Sequence, residues 1–255
     1  MKRPLPTGIL VALICSPFFL FPSLFAQVIT NGDLNGNVGV SSTPFSWTQV
    51  PNTASFSFAS GPLQATSDVT SLSGPLPSAG INGNPYTGTT LVSGLKMRSG
   101  ATYFWHEGIR QTVFGFTPGN AYTVTFYQTV VKQSNVQDNT GLWDLYLDNT
   151  FIASSSPTTS TLVFNSNNLP WEQKQISFTA TSTAHTLSFM PGDDDANVVG
   201  MDGVRMGIDN ISLSTAVVLP VSVTLNASLI SGGVQLDWEV GNNVQADRYF
   251  LERSV

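Results

Sequence analysis

Short runs that alternate apolar and polar residues, each closed by Gly, Pro, Asn or Asp, constrain this chain more than any other feature. Tyr122, Val124 and Phe126 point one way while Thr123, Thr125 and Tyr127 point the other. Trp143, Leu145 and Leu147 alternate in the same manner with Asp144, Tyr146 and Asp148. A period of two puts one face of a strand on a core and the other in water. Pro118-Gly119-Asn120 precedes the first of these runs, and Asp148-Asn149 predicts a tight hairpin from the second into Phe151-Ile152. Ile176 with Phe178, Leu187 with Phe189, and the segment Ile208–Leu213 continue the pattern. No useful stretch after residue 27 has helical periodicity. Strands at this spacing predict a β-sandwich.

Composition narrows the class. The chain has 255 residues, only 10% of them charged, with 22 Gly and 15 Pro. Ten Lys+Arg against sixteen Asp+Glu give −6. An acidic chain has no electrostatic footprint for nucleic acid, whose binding rests on basic side chains neutralising phosphates.

The N-terminus reads as an address. Lys2 and Arg3 precede an apolar run from Ile9 to Phe25 that ends at Ala26-Gln27, the layout of a secretory signal peptide over 1–26. Two prolines and a run shorter than the roughly 20 residues of a membrane span argue against an anchor. The only cysteine, Cys15, lies inside this segment. Removal of the leader leaves eight bases against sixteen acids and no thiol for a disulfide. The predicted location is therefore extracellular or cell-surface, with no membrane span in the mature chain.

A boundary falls near Ser214–Pro220, with 215–219 as linker. Residues 220–255 add further alternating runs, Val221-Val223-Leu225 and Val234-Leu236-Trp238, and Tyr249–Arg253 opens a third. Thirty-six residues are too few for a self-standing core. The expectation is a chain that stops inside its second domain. The stretch from about 35 to 100, rich in Gly, Ser, Thr, Asn and Pro, reads as long loops joining short strands, with isolated apolar residues such as Phe56, Phe58 and Leu91.

Several segments resemble the galactose-binding-like jelly rolls of secreted carbohydrate-binding modules. VITNGDLN (28–35) is similar to the opening strand, GIRQTVFGFTPGNAYTVTFY (108–127) to the central hairpin, WEQKQISFTATSTAHTLSF (171–189) to the next pair and GIDNISL (207–213) to the closing strand. The tail 219–254 resembles the start of a fibronectin-type-III-like domain, as found in Bacteroidetes surface proteins exported by type IX secretion. The fold expected is all-β: a jelly-roll β-sandwich over 28–214, followed by an incomplete immunoglobulin- or fibronectin-like β-domain. The resemblance also implies a structural calcium joining the first and last strands. The positions it assigns here are Asn35 and Asp209, with Asp33 as a compensating carboxylate; the alternative is that Asp209-Asn210 hydrogen-bonds a neighbouring loop.

Candidate chemistry is sparse. Neither His106 nor His185 begins a metal or triad motif, and His185, in an apparent hairpin, is expected to be exposed. Glu107, Asp144 and Glu172 make a glycosidase pair only if folding brings two within about 5–10 Å, which no spacing demands. Asp193, Asp195 and Asn197 imitate the start of an EF-hand, but Val198 stands where Gly is needed and Val204 where Glu is needed. Aromatic rings remain, because sugar C–H faces stack on Trp and Tyr while polar side chains read hydroxyls. Trp143 is in phase with the core, whereas Tyr127 and Tyr146 are out of phase and expected on an outer face. Trp105, His106, Glu107 and Arg110 form the expected edge of a ligand site. The function expected is a non-catalytic module that binds glycan at the cell surface alongside downstream domains of the same polypeptide; the alternative is a structural or adhesion spacer.

Overall fold

A computed structural model of the chain describes residues 28–51, 66–75, 81–99, 102–131, 138–160, 168–194, 201–215, 223–230 and 233–240. The leader 1–26, Phe56, Phe58, Asp195, Asn197, Val198, residues 216–219 of the expected linker 215–219 and the strand expected at 249–253 lie outside the described residues, while Thr215 ends a strand.

The chain divides into two units, Met1–Ser214 and Thr215–Val255. In the first, two antiparallel sheets make a sandwich, as the alternation predicts. The five-stranded sheet contains β1 (Thr48–Gln49), β5 (Ile109–Phe114), β10 (Ala184–Gly192), β7 (Leu142–Leu147) and β8 (Thr150–Ser154) in that order. The six-stranded sheet contains β2 (Asp68–Thr70), β3 (Leu91–Ser99), β11 (Met201–Thr215), β6 (Ala121–Val130) and β9 (Glu172–Thr179), with β4 (Thr102–His106) paired on β3. From β4 onward the chain passes repeatedly from one sheet to the other, so strands distant in sequence become neighbours, as β5 and β10 do. In the second unit, β12 (Val223–Ile230) and β13 (Gly233–Val240) form an antiparallel hairpin.

The core lies between the sheets. Tyr122, Val124 and Phe126 from β6 meet Trp143, Leu145 and Leu147 from β7 and Leu187 and Phe189 from β10. Trp143 is fully buried, as its phase predicts, and its Nε1–H donates to the Gly207 carbonyl at 3.0 Å. Trp47 is also inside, donating to the Asn31 carbonyl at 3.0 Å, so it offers no stacking surface.

Three local features carry this arrangement. Asp148 and Asn149 have φ of 50° and 68°, the pair of positive values that a tight β7–β8 hairpin needs. Asn210, at φ 50°, interrupts β11. Val204, Met206 and Ile208 face inward before it, and Ile211 resumes the core after it. Strict alternation would turn Ile211 outward; one left-handed residue restores the phase, and Asn tolerates that region better than most.

The third feature corrects the reading of 35–100. β3 is a nine-residue strand inside the six-stranded sheet, not a loop. Leu91 and Leu95 are buried on one of its faces and Val92 on the other. A strand covered on both sides has no clean alternation to read.

Candidate functional site

The chain crosses from sheet to sheet at Glu107-Gly108, directly after β4. Gly108 is required there, since an added Cβ would sit 2.2 Å from Met190 Sδ and 2.6 Å from the Phe189 carbonyl oxygen. The crossing turns its neighbours inward. Glu107 accepts the Leu95 N–H through Oε2 at 2.9 Å and lies 3.5 Å from Arg205 Nη1. Arg205 in turn donates to Asp68 Oδ2 at 2.6 Å and to Ser93 Oγ at 3.2 Å. Asp68 Oδ1 takes the Ser41 N–H at 2.8 Å. Burial pushes the Glu107 carboxyl up to about 8 against the pull of the Arg205 charge, so a proton sits on it at neutral pH. His106 donates from Nε2 to the Pro191 carbonyl at 3.1 Å, and burial, aided by the nearby Lys96 charge, holds it down to about 3.

The edge expected from Trp105, His106, Glu107 and Arg110 is therefore not a single surface. His106 and Glu107 are interior groups hydrogen-bonded to backbone, with Arg205 beside Glu107, and Trp105 packs half-buried on Leu95 and Met97. Arg110 alone points outward, from β5 of the other sheet.

Tyr127 and Tyr146 are likewise separated, on β6 and β7 of opposite sheets. Tyr127 is stacked under Tyr86, with ring centroids 3.5 Å apart and planes at 15°, and Trp171 meets Tyr86 edge-on at 6.4 Å. One face of Tyr127 is thus taken. The segment carrying Tyr86 is fastened by Asp209, whose Oδ2 accepts the N–H groups of Tyr86 at 2.8 Å and Thr87 at 3.0 Å. Its Oδ1 accepts the Asn210 N–H at 2.7 Å. Burial nevertheless raises the Asp209 carboxyl to about 7, with the neighbouring Asp33 charge adding in the same direction.

These contacts decide whether the expected ligands fit a calcium ion, which takes six to eight oxygens. Asn35 Oδ1 already accepts both the N–H and the hydroxyl of Thr89, each at 2.9 Å, which fills its two lone pairs. Asp209 spends both oxygens on three backbone N–H groups. Asp33 has the Thr87 hydroxyl at 3.4 Å. Asn35 Oδ1 and Asp209 Oδ2 each take two donors, and Asp209 Oδ1 takes a third N–H. The side-chain oxygens left open, chiefly those of Asp33, therefore fall short of the six to eight the ion takes. Among the described residues no group of three or more His, Cys, Asp or Glu side chains is placed to hold a metal.

His185 also departs from expectation. It is buried against Phe116 and Phe178, with Nδ1 at 2.5 Å from Asp148 Oδ2. Nε2 accepts the Thr181 and Ser182 N–H groups, each at 3.1 Å. The proton is therefore on Nδ1, and the ring staples two turns together.

The outer face of the five-stranded sheet remains. Register places Thr48 opposite Arg110, Arg110 opposite Ser188, Ser188 opposite Tyr146, and Tyr146 opposite Phe151. The row crosses all five strands. Tyr146 and Phe151 meet edge-to-face at 5.5 Å and 69°, and Phe151 is 52% exposed. In the next row the hydroxyls of Thr112 and Thr186 lie 2.9 Å apart, and Phe114 beyond them is 70% exposed. On the other side Asp144 accepts the Ser154 hydroxyl at 2.6 Å, and burial raises its carboxyl above the usual range. The sequence offered Arg110 with Trp105, His106 and Glu107, and Tyr146 with Tyr127; Ser188 and Phe151 were missed. Phase alone marks both as outward-facing, but no local signal says that they share a row.

No family model and no curated protein matches the chain. Among solved structures it is similar to the C-terminal domain of EclA, a sugar-binding protein, at 16% identity and a TM-score of 0.31, over 50% of this chain and 81% of that one. It is similar to TmCBM61 in complex with β-1,4-galactotriose at 14% identity and 0.34, over 59% of this chain and 83% of that one. It is also similar to arabinose-bound MgGH51 α-L-arabinofuranosidase at 13% and 0.39, over 75% of this chain but only 27% of that one. At such values, what this chain binds has to be argued from its own residues.

Proposed function

We propose that this chain is a secreted, non-catalytic module that binds glycan on the outer face of its five-stranded sheet. The observation that carries the reading is the row Arg110–Ser188–Tyr146–Phe151. It sets a pair of partly exposed rings beside hydroxyl and guanidinium donors on a rigid sheet. A sugar ring stacks its C–H face on Tyr146 and Phe151 while Thr186, one row away, offers a hydroxyl. Arg110, two strand spacings from Tyr146, lies beside the next sugar unit. Regular strands hold such groups more firmly than loops do.

A catalytic role has less support. Glu107 is sealed inside. Glu172 is held down to about 2: burial raises it, but Lys174, the Thr159 N–H and hydroxyl, and the Ser160 N–H outweigh that. Calcium has no part in the reading, because Asn35 and Asp209 are largely taken by N–H and O–H donors. Export rests on the leader at 1–26 and remains part of the proposal, as does the fibronectin-like character of the second unit.

The test is a glycan array followed by calorimetry on the full chain. Saturable binding is expected, with Tyr146→Ala weakening it at least tenfold and Tyr127→Ala changing it less than twofold. Absence of binding to every glycan would leave the spacer reading in its place.

A further inference from the structure

We propose that the glycan held on this face carries a carboxylate, making the ligand class a uronic-acid oligosaccharide. This rests on the proposed glycan-binding role and names its substrate class.

The first observation is charge. In a chain with an excess of acids, Arg205 pairs with Asp68, Lys174 pairs with Glu172, and the Lys96 charge acts on Asp144. Arg110 makes no ion pair among the described residues, and the side-chain contact at its position is the Thr48 hydroxyl on its backbone carbonyl at 3.4 Å. It is half-buried on the outer face of the sheet, with no carboxylate among the described residues paired to it. The fork of a guanidinium matches the two oxygens of a carboxylate.

The second observation is independent. Ser188, directly opposite Arg110 in the central strand, is 0% exposed, and its hydroxyl has no hydrogen-bond partner. Buried hydroxyls without partners are uncommon. Opposed residues of a sheet stand about 5 Å apart, so one carboxylate can take the Arg110 N–H groups on one oxygen and the Ser188 O–H on the other. Ser188 is fully covered, so contact with it requires the side chains around it to move aside. Tyr146 lies on the far side of Ser188, two strand spacings or about 10 Å from Arg110. The rings therefore receive a neighbouring sugar unit of the oligosaccharide when a carboxylate is at Arg110.

The experiment is calorimetric titration of the full chain with trimers of galacturonic, glucuronic and mannuronic acid, each against its neutral counterpart. At least one uronate trimer is expected to bind tenfold or more tightly than its neutral analogue. Arg110→Gln is expected to remove that preference, costing the uronate tenfold and the neutral sugar less than twofold. Ser188→Ala should weaken the uronate several-fold, and Tyr146→Ala should weaken both sugars. Unfolding midpoints of the three variants show that the fold is retained. Equal affinity for acidic and neutral sugars, or an Arg110→Gln variant that keeps the preference, overturns the inference and leaves the glycan-binding role standing. Failure of every sugar to bind overturns both.

Discussion

At the scale of single residues, burial decides chemistry more than residue type does. Glu107 and Asp144 are both carboxylates beside strands, yet Glu107 sits inside with Arg205 and Asp144 lies on an outer face. The proton on Glu107 has a measurable consequence. Its carboxyl is raised from 4.5 to about 8, so the folded state keeps a proton that the unfolded chain releases. Stability from this group is complete below about 4.5 and declines as pH rises toward 8. Glu107→Gln imitates the protonated form and retains an acceptor for the Leu95 N–H. Its stability relative to the parent should rise between pH 4.5 and 8 and level off above. A difference independent of pH in denaturant titrations would refute the assignment. In the sequence, Glu107 looked like a ligand group because nothing nearby shows that the chain turns inward at Gly108.

At the scale of elements, turns and fastened segments determine what each sheet displays. The β7–β8 hairpin depends on Asp148, which adopts positive φ, receives the Thr186 N–H at 2.8 Å and holds the His185 ring. Asp148→Ala loses both bonds and places a poorly suited residue in the left-handed region, a cost of about 2–4 kcal/mol. Chemical denaturation would measure it, and a loss under 1 kcal/mol would show that the staple carries little. The segment carrying Tyr86 and Thr87 is bound to Asp209 by N–H groups where a calcium ion was expected. Chelator or millimolar calcium should therefore shift the unfolding midpoint by no more than about 1 °C. A rise of several degrees with calcium would mean that the oxygens rearrange to take the ion. That same segment covers Tyr127, which explains why a tyrosine correctly phased to the outside is not an open platform.

For the whole molecule, the displaced groups combine into one pH profile. Asp209, raised to about 7, and Glu107, raised to about 8, both lose stabilisation as pH climbs. His106, lowered to about 3, acts oppositely: its neutral folded form costs stability as pH falls below 6.5. Glu172, lowered to about 2, adds a loss as pH falls below 4.5. Between about 4.5 and 6.5 two groups favour acid and one opposes. Below about 4 the two acid-sensitive groups are unopposed. The stability maximum is accordingly expected near pH 4–5, with a decline from pH 6.5 to 8, measurable as a pH series of unfolding free energies. A maximum at pH 8 would contradict the buried protonation states.

The sequence by itself determined the sandwich, the Asp148-Asn149 turn and the inward place of Trp143, since turn geometry and strand alternation are set within a few neighbouring residues. It could not show β3 as a strand covered on both faces, the inward turn at Glu107, or the covering of Tyr127. Nor could it assemble Arg110, Ser188, Tyr146 and Phe151, which come from four strands. Those outcomes depend on which distant strands pair and which segments lie over them. Only tertiary packing fixes such contacts, because alternation tells a side chain which face of its own strand it occupies and nothing about what covers that face.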